Sequence, residues 1–307
     1  MSALVQAYQS LVPAFVRGPL YHWRAWAAAL VTSPAARGEW IAKRLVSCGR
    51  AVRTVRVPHG RLWVDLRDFG VGRRIFIHGR YEEPEAAVLR AVLQPGMTYL
   101  DVGGNLGYLA TLAAKLVGET GRIIAIEPEP YNFALLQKNL KLNARERSTA
   151  VNVAAGGAPG TAKLFKSVGN LGDHRLYTDG DSSGRAFVEV PVVRLDDLFA
   201  ANNWPAPDFI KIDVQGYEPH VVAGLDGLIR TNRPRAILTE YWPIGIRNAG
   251  GDPAAYLEWF RARGFECSLI GADCGLTPVA VERVDDHLPP LNPAVPDAQM
   301  LNLLFRR

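Results

Sequence analysis

Residues 98–107 read Thr-Tyr-Leu-Asp-Val-Gly-Gly-Asn-Leu-Gly and decide the fold. The first five residues are typical of a buried strand, the glycine-rich end is typical of a tight turn, and an apolar helical pattern follows. Asp101 stands near the end of this strand. Glycines in such a turn let a ligand approach the backbone closely, and the carboxylate beside them favours a ligand that carries a positive charge.

The spacing of the glycines argues against a phosphate-binding turn. A dinucleotide fingerprint needs G-x-G-x-x-G so that a helix N-terminus faces a pyrophosphate. Here the glycines stand at 103, 104 and 107, and Asp101 would repel an anion. We therefore expect a ligand without a diphosphate, which disfavours a nicotinamide-dependent oxidoreductase.

A second acid lies at the end of the next predicted strand. Residues 122–126 are apolar after Arg122 and are followed by Glu127-Pro128, where an acidic side chain can accept both hydroxyls of a ribose. Asp101 and Glu127 together suit a ligand with an ammonium group and a ribose, and S-adenosylmethionine has both. The alternative is that Asp101 caps a helix and Glu127 is a solvated loop residue.

Length and composition indicate a globular protein. The chain has 307 residues, 48% of them hydrophobic, and three cysteines without C-x-x-C spacing. This pattern predicts neither a disulfide framework nor a zinc site, and a reducing cytoplasm fits best. The longest apolar stretch near the start, residues 26–31, is too short to span a bilayer, and no cleavable signal pattern precedes it. We expect a cytoplasmic protein without a transmembrane segment.

Charge is distributed unevenly along the chain. Residues 1–80 hold 13 Lys or Arg and three acids, a net charge of +10, so the remainder carries −5. Such a basic, tryptophan-containing part could meet an acidic substrate, a carrier protein, a membrane surface or nucleic acid. The alternative is a solvated arginine-rich face on helices that pack against the core. No RNA-binding signature is visible, so we expect no nucleic-acid partner.

Hydrophobic periodicity divides the chain into three parts. Residues 1–50 predict two or three helices, and alternation from Val55 to His78, including Ile75 and Ile77, predicts a β-hairpin or small meander. From residue 82 onward helices and strands alternate, which predicts a parallel sheet covered by helices. The segment 156–193 interrupts this alternation with β-like ends and a polar centre, and residues 300–305 predict an antiparallel edge strand. The expected elements from residue 82 are helices at 82–93, 107–117, 131–142, 195–202, 218–229 and 253–263 and strands at 99–102, 122–126, 150–154, 209–213, 236–241 and 265–270.

These elements, taken with their motifs, resemble the FkbM family of S-adenosylmethionine-dependent methyltransferases. The similarity covers about residues 76–306 and leaves 1–55 outside. The most specific motif is Lys211-Ile-Asp-Val-Gln-Gly-Tyr-Glu218. The other matching features are Gly79-Arg-Tyr-Glu82, Asp101-x-Gly103-x-Asn105-x-Gly107, Glu127-Pro128, Arg194-Leu-Asp-Asp-Leu198, Glu240 and Leu301-Asn-Leu-Leu-Phe305.

The resemblance implies an α/β fold of the Rossmann-like class I methyltransferase type. It implies a seven-stranded sheet with six parallel strands and an inserted antiparallel last strand. We therefore predict an N-terminal helical cap and β-hairpin over residues 1–80 and a methyltransferase domain over 81–307. A homodimer stays open.

The same resemblance assigns expected cofactor contacts. Asp101, Gly103, Asn105 and Gly107 are expected to hold the methionine end of S-adenosylmethionine. Glu127, followed by Pro128, is expected to take the ribose hydroxyls, and the backbone and side chains of Asn152, Val153 and Ala154 are expected to border the adenine. Tyr81 and Glu82 are expected to close over the methionine moiety.

For catalysis the first candidate is Asp213, at the end of the fourth parallel strand, as a general base for an alcohol acceptor. It could instead cap the next helix or bond Lys211. His174 is the second candidate because its pKa suits proton transfer near neutrality, and Arg175 beside it is expected on the substrate side. Glu240 is expected to bind substrate hydroxyls, or with Asp213 a magnesium ion, although two carboxylates are too few for us to predict a metal site.

One residue departs from the pattern of the family. Gln215 stands where the family usually has Glu, and an amide can neither act as a base nor carry charge. The leading hypothesis is O-methylation of a hydroxyl on a small-molecule acceptor, a sugar or a secondary metabolite. The alternatives are an N-methyltransferase acting on a small molecule or peptide, and a non-catalytic binding protein that uses the basic N-terminal part.

Overall fold

The computed structural model describes residues 33–143, 147–178, 184–232, 234–290 and 299–307. The helices predicted before residue 33 lie outside these ranges. The first described helix, α1, spans Pro34–Ser47, and the side chain of Ser33 caps it by accepting a hydrogen bond from the amide of Ala36 at 3.2 Å. A cap of this kind satisfies one of the free amides of the first turn.

The predicted hairpin is present, but it is shorter than expected. Strands β1 (Val52–Val57) and β2 (Gly60–Asp65) pair antiparallel. Ile75 and Ile77, which we expected in a strand, lie instead in helix α2 (Gly72–His78). The alternation that suggested a strand there rests on two isoleucines alone, and short apolar runs do not distinguish strand from helix.

The remaining elements alternate as the sequence predicts. Helix α3 (Glu83–Val92) leads into the sheet. The strands that follow are β3 (Thr98–Val102), β4 (Arg122–Ile126), β5 (Ser148–Val151), β6 (Ala154–Ala155), β7 (Gly160–Phe165), β8 (Phe187–Val193), β9 (Phe209–Ile212), β10 (Ala236–Tyr241), β11 (Glu266–Ile270), β12 (Leu276–Val279) and β13 (Leu301–Arg306). The helices are α4 (Tyr108–Val117), α5 (Pro130–Asn143), α6 (Leu195–Asn202), α7 (Glu218–Ala223), α8 (Asp226–Asn232), α9 (Pro243–Asn248) and α10 (Pro253–Arg261), and a 3-10 helix spans Val281–His287.

The large sheet has the order β12-β11-β13-β10-β9-β3-β4-β5. The chain therefore reverses direction across the sheet between β3 and β9, and ligands in open α/β sheets bind at such a switch point. Strand β13 is antiparallel to both neighbours, as the family resemblance implies. It is an interior strand, so the expectation of an edge strand was wrong. The edge strand on this side of the sheet is β12, which was not among the predicted elements.

Two further predictions need correction. The strand expected at 150–154 divides, because β5 ends at Val151 and β6 leaves the large sheet to pair with β8. Together with β7, β6 and β8 form a separate three-stranded sheet, in which β7 and β8 are the predicted β-like ends of the insertion. The helix expected at 218–229 also divides, into α7 and α8, around Gly224.

The core lies on both faces of the large sheet, which explains the continuous apolar runs of its central strands. Strands β3 and β9 are buried throughout. On one face, hairpin residues such as Leu62 and Val64 belong to the same apolar cluster as Leu89 and Tyr99. The division into domains at residue 80 stays a prediction.

Candidate active site

The site lies where the carboxyl ends of β3, β4, β9 and β10 meet under the insertion. A cavity of about 270 Å3 opens there. Most of the residues that we predicted for the site line it together: Tyr81, Glu82, Asp101, Gly103, Asn105, Glu127, Pro128, Ala154, His174, Asp213 and Glu240. Residues scattered over 160 positions of sequence therefore share one cavity, as expected for the rim of a parallel sheet.

Two of the predicted cofactor residues, Gly107 and Asn152, do not line the cavity but lie in the backbone turns around it. Gly107 precedes α4 with a φ of 89°, a left-handed conformation that suits glycine. The side chain of Asn152 donates to the backbone oxygens of Glu127 at 2.8 Å and Pro128 at 2.9 Å. These hydrogen bonds fix the turn after β4 rather than reaching into the cavity.

Val153 and Arg175 also do not line the cavity. Val153 packs against the core cluster on one face of the sheet. The Nε of Arg175 donates to Asp173 at 2.7 Å, and its guanidinium lies 4.7 Å from the ring centroid of Trp242. Arg175 is 4% exposed. In this structure its contacts are therefore those of a buried residue that holds the insertion.

Asp101 is the most unusual carboxylate in the cavity. It is 1% exposed, and its Oδ1 has no hydrogen-bond partner among the described residues. The Nζ of Lys211 lies 3.9 Å from this oxygen, too far for a hydrogen bond. Burial raises the pKa of Asp101 to about 6, the nearby Lys211 ammonium opposes that rise, and the charge of Asp213 adds to it. Burying a carboxylate oxygen without a hydrogen-bond partner costs free energy unless a bound ligand supplies that partner.

Lys211 is the positively charged side chain beside the acids at the ends of β3 and β9. Its Nζ donates to Oδ2 of Asp213 at 3.0 Å, and the side chain is buried. Although burial disfavours the charged ammonium, the carboxylates of Asp213 and Asp101 outweigh it and raise the pKa of Lys211. Lys211 therefore stays protonated and links the strand ends of β3 and β9.

The turn after β3 leaves no room for a side chain at its first glycine. Gly103 has a φ of 83°, and a Cβ there would lie 1.9 Å from the backbone oxygen of Asp213. The backbone of β3 and β9 is thus brought close together at the base of the cavity. Only glycine is compatible with both this approach and this conformation.

Glu127 organises the same turn from the side of β4. Its Oε2 accepts from the amide of Asn105 at 2.8 Å, and its Oε1 accepts from the amide of Glu129 at 2.8 Å. Burial raises the pKa of Glu127 to about 7, although these two hydrogen bonds lower it in part. Each carboxylate oxygen has a second lone pair, so two hydroxyl groups can still be accepted.

Gln215 bridges two acids across the ends of β9 and β10. Its Nε2 donates to Oδ1 of Asp213 at 3.0 Å and lies 3.3 Å from Oε2 of Glu240. Burial and the charge of Asp213 raise the pKa of Glu240 well above its usual range. A glutamate at position 215 would add a third carboxylate here. The amide instead supplies a donor to both neighbours.

Tyr81 and Glu82 close the cavity on the side of α3. Glu82 adopts a left-handed conformation with a φ of 48° immediately before α3. Burial raises its pKa to about 8, Lys211 lowers it, and the charge of Asp213 raises it further. A non-glycine residue whose backbone is held in this sparsely populated conformation is typical of functional positions.

The insertion covers the cavity through a short loop. The amide of Leu171 donates to Asp68 at 3.0 Å, and its backbone oxygen accepts from the side chains of Asn105 at 3.0 Å and Asn132 at 2.8 Å. These hydrogen bonds connect the loop to the hairpin, to the glycine turn and to α5. Asn132 also presents a buried Oδ1 without a partner among the described residues.

His174 is held in one orientation by this loop. Its Nδ1 accepts from the amide of Ser167 at 3.0 Å, so the neutral ring carries its hydrogen on Nε2. Burial lowers the pKa of His174. In this tautomer Nε2 is a donor, which suits a hydrogen bond to a ligand better than proton abstraction.

Sequence reasoning passed over Lys211, Leu171 and Asn132. From the sequence, Lys211 was expected only as part of a motif and as a possible partner for Asp213. A lysine in the otherwise apolar strand Phe-Ile-Lys-Ile could have been recognised, because Lys is rarely buried without a specific partner. Leu171 contributes through its backbone, for which a sequence carries no signal.

Comparison with known proteins agrees with this geometry. The family model described as the methyltransferase FkbM domain matches residues 101–267, more than half of the chain. The chain belongs to the FkbM methyltransferase family. It is a methyltransferase with the Rossmann-like fold of class I, and the matched range includes the acids at the ends of β3, β4, β9 and β10.

Three relatives of this FkbM methyltransferase differ in how much they share with it. The 31-O-demethyl-FK506 methyltransferase FkbM of Streptomyces tacrolimicus is 28% identical over 203 residues, 57% of this chain and 76% of that protein. The hexuronic acid methyltransferase AglP of Haloferax volcanii is 23% identical over 134 residues, 43% of this chain and 51% of that protein. Protein-L-isoaspartate O-methyltransferase 1 of Arabidopsis thaliana is 40% identical over only 74 residues, 22% of this chain and 32% of that protein.

Neither a membrane-spanning helix nor a metal-binding cluster occurs among the described residues. None of the helices in the described ranges is long and apolar enough to cross a membrane. In the same part of the chain, no group of three or more His, Cys, Asp or Glu side chains is arranged to hold a metal ion.

Proposed function

We propose that this FkbM methyltransferase uses S-adenosylmethionine to methylate a hydroxyl group of a small molecule, either a sugar or a secondary metabolite. The observation that carries the proposal is Asp101, a buried acid that lines the cavity next to Gly103 and whose Oδ1 has no hydrogen-bond partner among the described residues. An ammonium group is a strong partner for a carboxylate, and the glycine turn gives it access.

The residues present fit this cofactor. Asp101 and the turn from Gly103 would hold its amino-acid end, and Glu127 would accept its ribose hydroxyls. The small side chains of Ala154 and Ala155, which also line the cavity, leave room for a flat base. When bound, S-adenosylmethionine would supply an electrophilic methyl group on a positively charged sulfur.

Asp213 is the base that we propose for the acceptor hydroxyl. Its two carboxylate oxygens accept hydrogen bonds from Lys211 and from Gln215, each at 3.0 Å, which hold the carboxylate in one orientation. Its side chain is nevertheless 23% exposed and lines the cavity, so an acceptor can reach it. The proton of the acceptor hydroxyl would pass to Asp213.

The names of the relatives support an oxygen acceptor. One relative is named as a methyltransferase of 31-O-demethyl-FK506, and another as a methyltransferase of hexuronic acid. These relatives bring together a secondary metabolite and a sugar, which are the two classes that we propose.

Isothermal titration of the protein with S-adenosylmethionine tests the cofactor assignment. We expect the Asp101→Asn variant to bind about 10- to 100-fold more weakly, because a hydrogen bond to a charged group contributes about 1.5 to 3 kcal/mol. Asp197→Asn is the control, since the Asp197 side chain is 69% exposed. Absence of binding by the wild type, or equal affinities for all three proteins, would contradict the proposal.

A further inference from the structure

A second cavity lies beside the first on the side of α2 and α3. Its volume is about 540 Å3, and we call it the second chamber. The two cavities share one wall. A part of a bound ligand that extends from the first cavity past this wall would therefore lie in the second chamber. The shared wall consists of Tyr81, Glu82, Lys211, Asp213, Glu240 and Met300.

The floor of the second chamber is rich in hydrogen-bond acceptors. Glu85 is 6% exposed, and its Oε2 has no hydrogen-bond partner among the described residues. Its Oε1 accepts from the side chain of Asn302, and Glu82 and Glu240 line the same space. A carboxyl group accepts hydrogen bonds in either protonation state and also donates one when it is protonated, so hydroxyl groups, which both donate and accept, are suitable partners for this floor.

The mouth of the second chamber has the opposite charge. Arg74 and His78 are four residues apart on α2 and therefore lie on the same face of that helix, and Arg80 follows the helix directly. All three side chains are exposed. A rim of this kind suits an anionic group held outside the polar floor.

The arginines of this rim differ from neighbouring arginines in their ion pairs. Arg73 pairs with Glu39 at 2.9 Å, and Arg67 pairs with Asp65 at 2.5 Å. No ion pair within the described ranges involves Arg74 or Arg80. The rim also contains the acid Glu83, but its Oε1 lies 3.7 Å from a guanidinium nitrogen of Arg90, which offsets its charge.

We propose that the second chamber is the acceptor site and that the acceptor is a polyhydroxylated molecule carrying an acidic group, that is, a sugar bearing a carboxylate or a phosphate. This inference rests on the proposed function. The hydroxyls lie over Glu82, Glu85 and Glu240, and the acidic group lies at Arg74 and Arg80. The hydroxyl nearest to Asp213 is the one that faces the first cavity and is methylated.

Direct binding to the protein saturated with S-adenosylhomocysteine tests this assignment. The probes are methyl glucoside, which is neutral, methyl glucuronoside, which carries a carboxylate, and glucose 6-phosphate. We expect at least one acidic probe to bind about tenfold or more tightly than the neutral one, because charge-assisted hydrogen bonds from arginine are roughly twice as strong as neutral ones. The acid that binds better identifies the source of the charge.

Variants of the rim make the test specific. In the double variant Arg74→Gln and Arg80→Gln, the preference for the acidic probe should fall about tenfold, while the affinity for S-adenosylhomocysteine should be unchanged. Arg235→Gln is the matched control, because Arg235 is also exposed but precedes β10 and lies outside the chamber. Thermal unfolding of each variant checks that the fold is intact.

Each outcome bears on one assignment. Equal binding of neutral and acidic probes, no binding of either acid, or a preference that survives the double variant would overturn the acceptor site. If S-adenosylmethionine and its demethylated product both fail to bind the wild type, the proposed function fails instead. If both bind and the acidic probes do not, only the present inference fails.

Discussion

Replacing Lys211 by methionine tests the electrostatic interpretation of the rim. Lys211 lies 3.0 Å from Asp213 and 3.9 Å from Asp101, and its side chain is 6% exposed. Methionine has a similar length and fits an apolar strand, so the substitution removes a charge with little change in volume. What remains is a set of buried carboxylates without their cation.

The structure gives the expected size of the effect. Two opposite charges about 4 Å apart attract by about 4 kcal/mol at an effective dielectric constant near 20. Removing one member of a buried ion pair costs about 3 to 5 kcal/mol, because it leaves the partner charge uncompensated. We expect Lys211→Met to lower the free energy of unfolding by that amount at pH 8.

The loss should depend on pH in a definite direction. Burial raises the pKa of Asp101 to about 6 in the folded protein, above its value in the unfolded chain, so stability falls as pH rises between about 4 and 6. Lys211 opposes that rise in pKa, and without it the folded-state pKa is higher still. In the variant the fall in stability therefore continues above pH 6, and the destabilisation should be smaller at pH 5 than at pH 8.

Urea unfolding followed by tryptophan fluorescence at pH 5 and pH 8 measures both effects. Lys141→Met is the control, because Lys141 is exposed on α5 and should change stability by less than about 0.5 kcal/mol. The reasoning is refuted if the two variants lose similar small amounts, or if the loss in Lys211→Met is the same at both pH values.

Three further substitutions test the glycine turn after β3, the hydrogen bonds of Gln215 to two acids, and the orientation of His174 in the insertion. Gly103→Ala should destabilise by more than about 2 kcal/mol and abolish cofactor binding. By contrast, Gly264→Ala, with a φ of 75° after α10 and no atom within 4 Å of the added Cβ, should cost only about 1 to 2 kcal/mol of backbone strain; equal losses in calorimetry would contradict this. Gln215→Glu should move the acidic limb of the pH–rate profile to higher pH, since a new carboxylate raises its neighbours' pKa, and the exposed Gln137→Glu should leave it unmoved. His174→Asn should keep the wild-type profile, because an amide oxygen can replace Nδ1 as the acceptor for Ser167; loss of the acidic limb would instead identify His174 as the base.

The order of elements was predictable from sequence because strong periodicity and turn residues determine it. Strand β4 and helix α6 were predicted with the observed boundaries, and the antiparallel direction of the last strand followed from the family resemblance. The position of β13 could not be read from its own residues, since an apolar run of six fits an edge and an interior strand equally well. The division of β5 from β6 depends on pairing with β8, which is a long-range choice.

For the candidate site, the acids were predictable and their partners were not. Asp101, Glu127, Asp213 and Glu240 stand at strand ends, where chemistry is expected. The sequence cannot show that Arg175 turns away towards Trp242, because the direction of a loop side chain depends on its packing. It also cannot show that Gln215 joins two carboxylates, which gives the departure from the family pattern a physical meaning.

The interior position of β13 has a consequence for the order in which the protein acquires its structure during synthesis. Strand β13 follows every other strand of the large sheet along the chain, yet it alone connects β10 with β11. After residues 266–279 have emerged from the ribosome and before residues 301–306 emerge, the β11–β12 hairpin therefore has no native neighbour in the large sheet, and an unpaired strand edge is prone to association with other chains. Chaperone binding to nascent chains should accordingly be strongest over this interval and should end when residues 301–306 emerge.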